Sequence, residues 1–272
     1  MTGFKQQIPH LGYGTWDRAG DVAYRGVFDA LTLGYRHIDT AQAYSNEIDV
    51  GKALAASGLD RDAYFLTTKV DPINFGPGQV APSVERSLEH LQVNSVDLLL
   101  LHFPSLHDEY EAEDYISQLG EVYENGYAKF IGVSNFTKHY LDIALDVLGE
   151  GLIANNQVEI HAYMQNQAIV DYCRSLDIVT TAYSPLARGA LIKDPVLQGI
   201  ASELGGTSSQ VALAFLLAEG HVVIPSSVSQ ERAASNLAAS KLTLSSSHVD
   251  AIRALERGMR LVDEDWCPKW DI

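Results

Sequence analysis

The stretch GYRHIDTAQAYSNE, from Gly34 to Glu47, runs from a strand-like segment into a loop at an aspartate and places a tyrosine five residues further on. Upstream, from Asp21 to Leu33, apolar residues recur at intervals of three and four, as one buried face of a helix requires. Helix, short strand, polar loop is thus one unit of the chain.

That unit recurs. Strand-like segments are LGYG (Leu11–Gly14), YRHID (Tyr35–Asp39), YFLTTK (Tyr64–Lys69), VDLLLLH (Val96–His102), KFIGVS (Lys129–Ser134), ANNQVE (Ala154–Glu159), IVTTAY (Ile178–Tyr183) and HVVIP (His221–Pro225). Between them lie helical patterns such as Ser83–Leu91, Thr137–Leu148 and Ser208–Leu217, with Ser83, Thr137 and Ser208 as candidate N-caps. Alternating strands and helices imply parallel strands joined by right-handed crossovers, and eight such units close into an α/β barrel of the (β/α)8, or TIM, class. An open doubly wound sheet would need a glycine-rich phosphate fingerprint after an early strand, and none is present. FKQQIP is expected to form a short hairpin across the barrel floor and Ser245–Glu256 an extra C-terminal helix, with residues 1–272 forming one domain.

Composition narrows the function classes. The 272 residues carry 19 basic and 35 acidic side chains, a formal net charge of -16, which repels nucleic acid and anionic membrane surfaces. The acidic excess fits either plain solubility or a salt-rich habitat. Cys173 and Cys267 form neither a disulfide framework nor a metal-ligand spacing. MTGFKQQIPH lacks the apolar core of a signal peptide. The expectation is a cytoplasmic enzyme with no metal.

In such a barrel every strand ends at one mouth, and these end in or near Asp39, Lys69, His102, Ser134, Gln157, Tyr183 and Ser226. Tyrosine ionises near pH 10, so Tyr44 serves as a proton donor only if its phenolate is made easier to form. Lys69 would do that, Asp39 would keep Lys69 charged, and His102 would direct a substrate oxygen toward the phenol. Singly, each has an ordinary structural reading: a loop cap for Asp39, a buried ion pair for Lys69, surface packing for Tyr44, a core histidine for His102. Together on one rim they describe proton delivery to a carbonyl, which also requires a hydride source.

The motifs TTK (Thr67–Lys69), LLLLHFP (Leu98–Pro104), IGVSNF (Ile131–Phe136), NNQVE (Asn155–Glu159), AYSPLARG (Ala182–Gly189), IPSSVSQERAASN (Ile224–Asn236) and RLVDEDWCPKWD (Arg260–Asp271) follow the opening stretch in order. In this the chain resembles the aldo-keto reductases, and among them the small bacterial 2,5-diketo-D-gluconate and methylglyoxal reductases. The resemblance implies an NADPH-dependent carbonyl reductase, a monomer, acting on small carbonyl compounds such as 2-oxoaldehydes, diketo sugar acids or aromatic aldehydes. It implies Asp39, Tyr44, Lys69 and His102 as a catalytic tetrad with Tyr44 as general acid. Ser134, Asn135 and Gln157 would hold the nicotinamide carboxamide and Tyr183 would stack on the ring. Ser184 and Leu186 would follow the pyrophosphate, Gly14, Thr15 and Asp39 would border the cofactor, and Ser226, Ser227, Arg232 and Asn236 would surround its adenosine end.

Two positions depart from the family pattern. Ser226–Ser227 stands where many relatives carry Lys-Ser, which removes a cation from the 2'-phosphate site, leaves Arg232, and makes NADH use possible. Phe103 replaces a common tryptophan after the histidine. Trp16, Tyr44, His102, Phe103 and Trp266, with Trp270 as a further candidate, are expected around the substrate, beside the loop VDPINFGPG (Val70–Gly78). Two other readings stand beside the reductase: a nucleotide-sensing regulatory subunit of the same fold, and a Schiff-base aldolase using Lys69.

Overall fold

A computed structural model describes residues 3–271. Eight strands pair in parallel and in chain order: β1 (Tyr13–Gly14), β2 (His37–Asp39), β3 (Phe65–Val70), β4 (Val96–Leu101), β5 (Ala128–Ser134), β6 (Ile153–Glu159), β7 (Val179–Tyr183) and β8 (Val222–Val223). The ring closes where Leu11 bridges Val223 in parallel, with Gly12 N–H donating to the Val223 carbonyl at 2.8 Å and Gly14 N–H to the Pro225 carbonyl at 3.1 Å. A Cβ on Gly14 would lie 2.7 Å from the Ile224 carbonyl oxygen, so this closure needs glycine. The architecture is the expected (β/α)8 barrel.

Helices α2 (Gly20–Leu33), α3 (Glu47–Ala56), α4 (Val80–Leu91), α5 (Ala112–Glu124), α6 (Lys138–Leu148), α7 (Gln167–Ser175), α8 (Pro195–Leu204), α9 (Ser208–Ala218) and α10 (Gln230–Ala238) surround the sheet, and α11 (Ser246–Arg253) is the expected C-terminal addition. Helix α2 buries Ala23, Val27, Ala30 and Leu31, and it stops at Gly34, whose φ of 105° is left-handed. Among the described residues no helix is long and apolar enough to cross a membrane.

Several local expectations are corrected. FKQQIP forms no hairpin: Phe4–Gln7 is one turn of helix, α1, closed by the Ile8 N–H on the Phe4 carbonyl at 3.0 Å. This turn drops Phe4 onto the barrel floor, edge-on to Phe130 and Phe65 at centroid distances of 5.0 and 6.1 Å. Strands β1 and β8 are shorter than their apolar runs, because Pro225 has no N–H with which to extend the ladder. Ser83 is not a cap; α4 begins at Val80 and the Ser83 hydroxyl donates back to the Val80 carbonyl. The cap of α9 is Thr207, in a capping box with Gln210, rather than Ser208. Thr137 does occupy the N-cap of α6, without a side-chain bond.

Candidate active site

Lys69 is fully buried, and its ammonium has three donors with three acceptors around them: Asp39 Oδ1 at 2.5 Å, the Thr40 carbonyl at 2.8 Å and the Tyr44 hydroxyl oxygen at 3.2 Å. The Tyr44 oxygen accepts from Lys69, so its own proton is left for another acceptor. Asp39 Oδ2 accepts from Gln157 Nε2 at 2.8 Å, which ties this ion pair to β6. The Tyr44 and His102 rings meet edge to face, centroids 5.4 Å apart.

The electrostatics differ in one respect from the sequence expectation. Burial pulls Lys69 down, but Asp39 and then Tyr44 outweigh it and hold the ammonium above its ordinary range. Burial raises the Tyr44 phenol, and Lys69, the largest opposing influence, does not cancel it. The net shift is therefore upward, toward a phenol protonated at neutral pH. His102 lies well below the ordinary histidine value, through burial first and Lys69 second, so its imidazole is neutral.

Sequence reasoning missed the residues that hold this loop. Gln42 Nε2 donates to Ser83 and Ser87 on α4, at 3.0 to 3.2 Å, while its Oε1 accepts from the Asp71 N–H and Asn74 Nδ2, both at 2.9 Å. Asn46 donates to the Thr15 and Arg18 carbonyls and accepts from Thr40 Oγ1 at 2.8 Å. Glu47, buried, accepts from Thr68 Oγ1 at 2.5 Å. The signal available was SNE at the close of the opening stretch, three polar residues leading into a helix.

Above the tetrad opens a cavity of about 1000 Å³. Its wall includes Gly14, Asp39, Ser134, Asn135, Gln157, Tyr183, Ser184 and Leu186, and at its far end Ser226, Ser227, Arg232 and Asn236. Trp16, Tyr44, His102, Phe103 and Trp266 line the reacting end, together with Asp71 and Pro72 from the loop after β3. Lys69 lies behind Tyr44 rather than on the wall. Thr15 is not on the wall either: it is buried, its N–H donates to the Asp39 carbonyl at 3.0 Å, and its hydroxyl has no partner. Trp270 stands apart from the wall, donating to Asp263 Oδ1 at 2.8 Å with the Arg260 guanidinium 4.1 Å from its ring centroid.

The polar wall is organised in advance. The Tyr183 hydroxyl donates to Asn135 Oδ1 at 2.9 Å, Asn135 Nδ2 donates to Ser134 Oγ at 3.0 Å and to the His102 carbonyl at 3.1 Å, and Ser134 Oγ donates to the Gln157 carbonyl at 2.8 Å. Asn135, Ser184, Ala187 and Arg188 all take left-handed backbone angles, a local cost that recurs where loops shape a site. Arg188, also on the wall, has its guanidinium 5.0 Å from the Trp16 ring centroid. At the far end Ser229 caps α10, and Arg232 Nε contacts Ser227 Oγ at 3.4 Å. Among the described residues no carboxylate pairs with Arg232. A dinucleotide fits this donor set: amides and a flat aromatic ring at one end, an unpaired guanidinium beside a helix N-terminus at the other.

Barrel and mouth together define an aldo/keto reductase: residues 10–257 match the Aldo/keto reductase family, and the chain belongs to it. It is accordingly an oxidoreductase. Among its relatives is the methylglyoxal reductase DkgB of Yersinia pestis, 40% identical over 97% of this chain and 99% of that protein. An aldo-keto reductase of Mycolicibacterium smegmatis is 37% identical over 93% and 92% of the two chains. A solved structure described as a putative 2,5-diketo-D-gluconic acid reductase B superposes with a TM-score of 0.93 at 36% identity, covering 97% of this chain and 94% of that one.

Proposed function

We propose that this protein reduces the carbonyl of small aldehydes and ketones to an alcohol, with NADPH as hydride donor and Tyr44 as proton donor. The observation that carries the reading is the buried Asp39–Lys69 pair joined to Tyr44 on the cavity wall, at 2.5 and 3.2 Å, with a cavity large enough for a dinucleotide and a small substrate above it. When bound, NADPH supplies the hydride; the chain supplies position and a proton. Ser134, Asn135 and Gln157 hold the carboxamide, and the face of Tyr183 fixes the ring plane against the substrate. Ser184 and Leu186 follow the pyrophosphate, Gly14 leaves room beside it, and Ser226, Ser227, Arg232 and Asn236 take the adenosine end, Arg232 on the 2'-phosphate.

Neutral His102 points the carbonyl oxygen toward Tyr44. As negative charge develops on that oxygen, the phenol proton moves to it, and the phenolate left behind sits 3.2 Å from the Lys69 ammonium. Asp39 holds the ammonium in place, and the phenol is then reprotonated from water. The raised pKa of Tyr44 serves this order of events: burial keeps the donor protonated until a basic oxygen is present, and Lys69 limits the cost once it has given the proton up.

Trp16, Phe103 and Trp266 give the reacting end an aromatic lining suited to short carbonyl compounds, and the relatives' names favour 2-oxoaldehydes and diketo sugar acids. The aldolase reading loses support, because Lys69 is held as an ammonium with all three donors engaged and lacks the free lone pair a Schiff base requires. The test is NADPH oxidation with methylglyoxal, aromatic aldehydes, diketo sugar acids and simple ketones. Turnover of at least one class is expected; tight NADPH binding without turnover on any would overturn the reductase and favour a nucleotide sensor.

A further inference from the structure

We propose that Glu159 is the positioning residue of the substrate wall: from the end of β6 it holds the C-terminal tail, and with it Val262 and Trp266, over the reacting end of the cavity. The proposal rests on the carbonyl-reducing reading for its kinetic test, but not for its structural one.

A fully buried carboxylate must find partners, and those of Glu159 come largely from a distant part of the chain. Its Oε1 accepts the Leu261 N–H at 2.7 Å and lies 3.0 Å from His161 Nε2, and its Oε2 accepts the Val262 N–H at 3.0 Å. Its main-chain carbonyl accepts from Asn166 Nδ2 at 3.2 Å, and Asn166 Oδ1 in turn accepts from Arg260 at 3.3 Å. Side chain and backbone of one residue thus tether three consecutive tail residues. The segment after α11 has no helix or strand of its own that could hold its course. Its other ties lie to either side and include Glu256 accepting the Gln165 N–H, the Arg257 guanidinium 3.7 Å from Asp194, the Arg257 and Met259 N–H groups on the Tyr163 carbonyl, and Asp271 accepting the Lys138 N–H at 2.9 Å. Glu159 is the anchor adjoining the wall.

The wall follows directly. Val262 and Trp266 line the cavity, and Trp266 packs edge-on to Phe103, centroids 4.9 Å apart, beside His102. On β6 the side chains of Gln157 and Glu159 share a face, because successive residues of a strand alternate. Gln157 reaches Asp39 in the tetrad, and Glu159 pairs in register with Tyr183 on β7. One strand face therefore places the nicotinamide wall and, two residues on, the substrate wall. A carboxylate suits the task, since it can accept from two N–H groups at once without presenting a donor to either.

The experiment compares Glu159→Ala, Trp266→Ala and the double variant, by steady-state kinetics with a neutral aldehyde at saturating NADPH, by NADPH titration, and by amide hydrogen exchange over residues 259–271. For Glu159→Ala, KM should rise about tenfold or more while kcat stays within about threefold, the pattern of lost substrate binding rather than lost chemistry. NADPH affinity should stay within about twofold, and exchange should quicken in the tail while the barrel strands keep their protection. In the double variant the rise in KM should fall well short of the product of the two single rises, because Glu159 acts through the wall that Trp266 completes. Glu159→Gln, which keeps the volume but turns one acceptor into a donor, should show a smaller shift in the same direction; it serves in every arm if the alanine variant does not fold. Independent losses in the double variant, a parallel fall in NADPH affinity, or unchanged tail exchange would each overturn the proposal. If the unmodified protein reduces no carbonyl, the exchange arm decides alone: tail exposure on losing the carboxylate sustains the anchor while the reductase reading falls.

Discussion

Floor and mouth of this barrel are two ends of the same strands, with the same backbone ladder and opposite interiors. Alternate residues of β3, at 65, 67 and 69, read phenylalanine, threonine, lysine from floor to mouth; on β4 and its continuation, 98, 100 and 102 read leucine, leucine, histidine. Phe65, Leu98 and Leu100 join Phe4, Ile8, Ala154 and Val222 in an apolar plug, whereas Lys69 sits in a buried polar network and His102 lines the cavity above it. The plug gains from leaving water, and the network would lose unless every donor and acceptor were met. Placing both on one set of strands lets the floor supply the rigidity that a preorganised charge cluster needs, and it predicts that the two ends fail differently when altered.

The largest effect is expected at the mouth. Tyr44→Phe removes the proton donor and keeps the ring against His102, so kcat should fall about 10²- to 10⁴-fold, the usual range for general acid catalysis, with thermal stability and NADPH affinity nearly unchanged. Stopped-flow and steady-state reduction of one good aldehyde would measure it. Near-normal turnover would remove Tyr44 from the mechanism.

The converse is expected at the floor. Phe4→Ala empties the centre of the aromatic plug and should cost about 3–5 kcal/mol of unfolding free energy, the range for deleting a buried phenylalanine. Below its lowered melting temperature the variant should keep kcat and KM. A selective loss of kcat with unchanged stability would mean that floor and mouth are coupled more closely than the split allows.

Acid gives a third, smaller separation. His221, just before β8, is buried with Nδ1 2.7 Å from Thr180 Oγ1, and burial pushes its pKa down to about 4. Above about pH 6.5 it is neutral in both folded and unfolded chains and adds no pH dependence. Between 6.5 and 4 the unfolded chain takes up the proton and the folded one resists, so stability falls as pH falls, by about 3 kcal/mol in all from this group. Urea unfolding across that window should show a shallower slope in His221→Gln than in the parent. Equal slopes would place the acid sensitivity elsewhere.

Both ends were legible to different depths. The eight strands could be read because each is an apolar run bounded by helical periodicity, and Asp39, Lys69 and His102 because they interrupt or end such runs with polar, titratable side chains. The floor was misread at Phe4: a six-residue segment with two glutamines and a proline carries no periodicity, and its helical turn is selected by the plug it fills. The first turn of α4 was lost because Val80, Ala81 and Pro82 offer no capping side chain. Gln42, Asn46 and Glu159 escaped notice because hydrogen bonds spanning tens of residues, and 102 and 103 in the last case, leave no local pattern. The direction of the Tyr44 shift depends on burial competing with one ammonium, a balance that three-dimensional packing sets and residue order does not.

The far end of the cavity gives the smallest effect and the sharpest test of cofactor choice. With serine at 226, Arg232 is the cation we propose for a 2'-phosphate, and among the described residues its guanidinium makes only a 3.4 Å contact, to Ser227. A charge-assisted contact of this kind contributes roughly 1.5–3 kcal/mol, about ten- to hundredfold in affinity, so NADPH should be preferred over NADH by a factor of that order. Arg232→Ala should weaken NADPH by most of that factor and leave NADH almost untouched, since NADH brings no phosphate to the site. Ser226→Lys should widen the preference by restoring a second cation. Fluorescence titration of both cofactors against all three proteins at fixed ionic strength measures this, because salt screens the contact. The Tyr44 proton transfer should be indifferent to these changes, so kcat with saturating NADPH should hold in every variant. Equal losses for NADH and NADPH in Arg232→Ala would assign Arg232 to the adenine or to the start of α10, and a fall in saturated kcat would show that the two ends of the cavity are not independent.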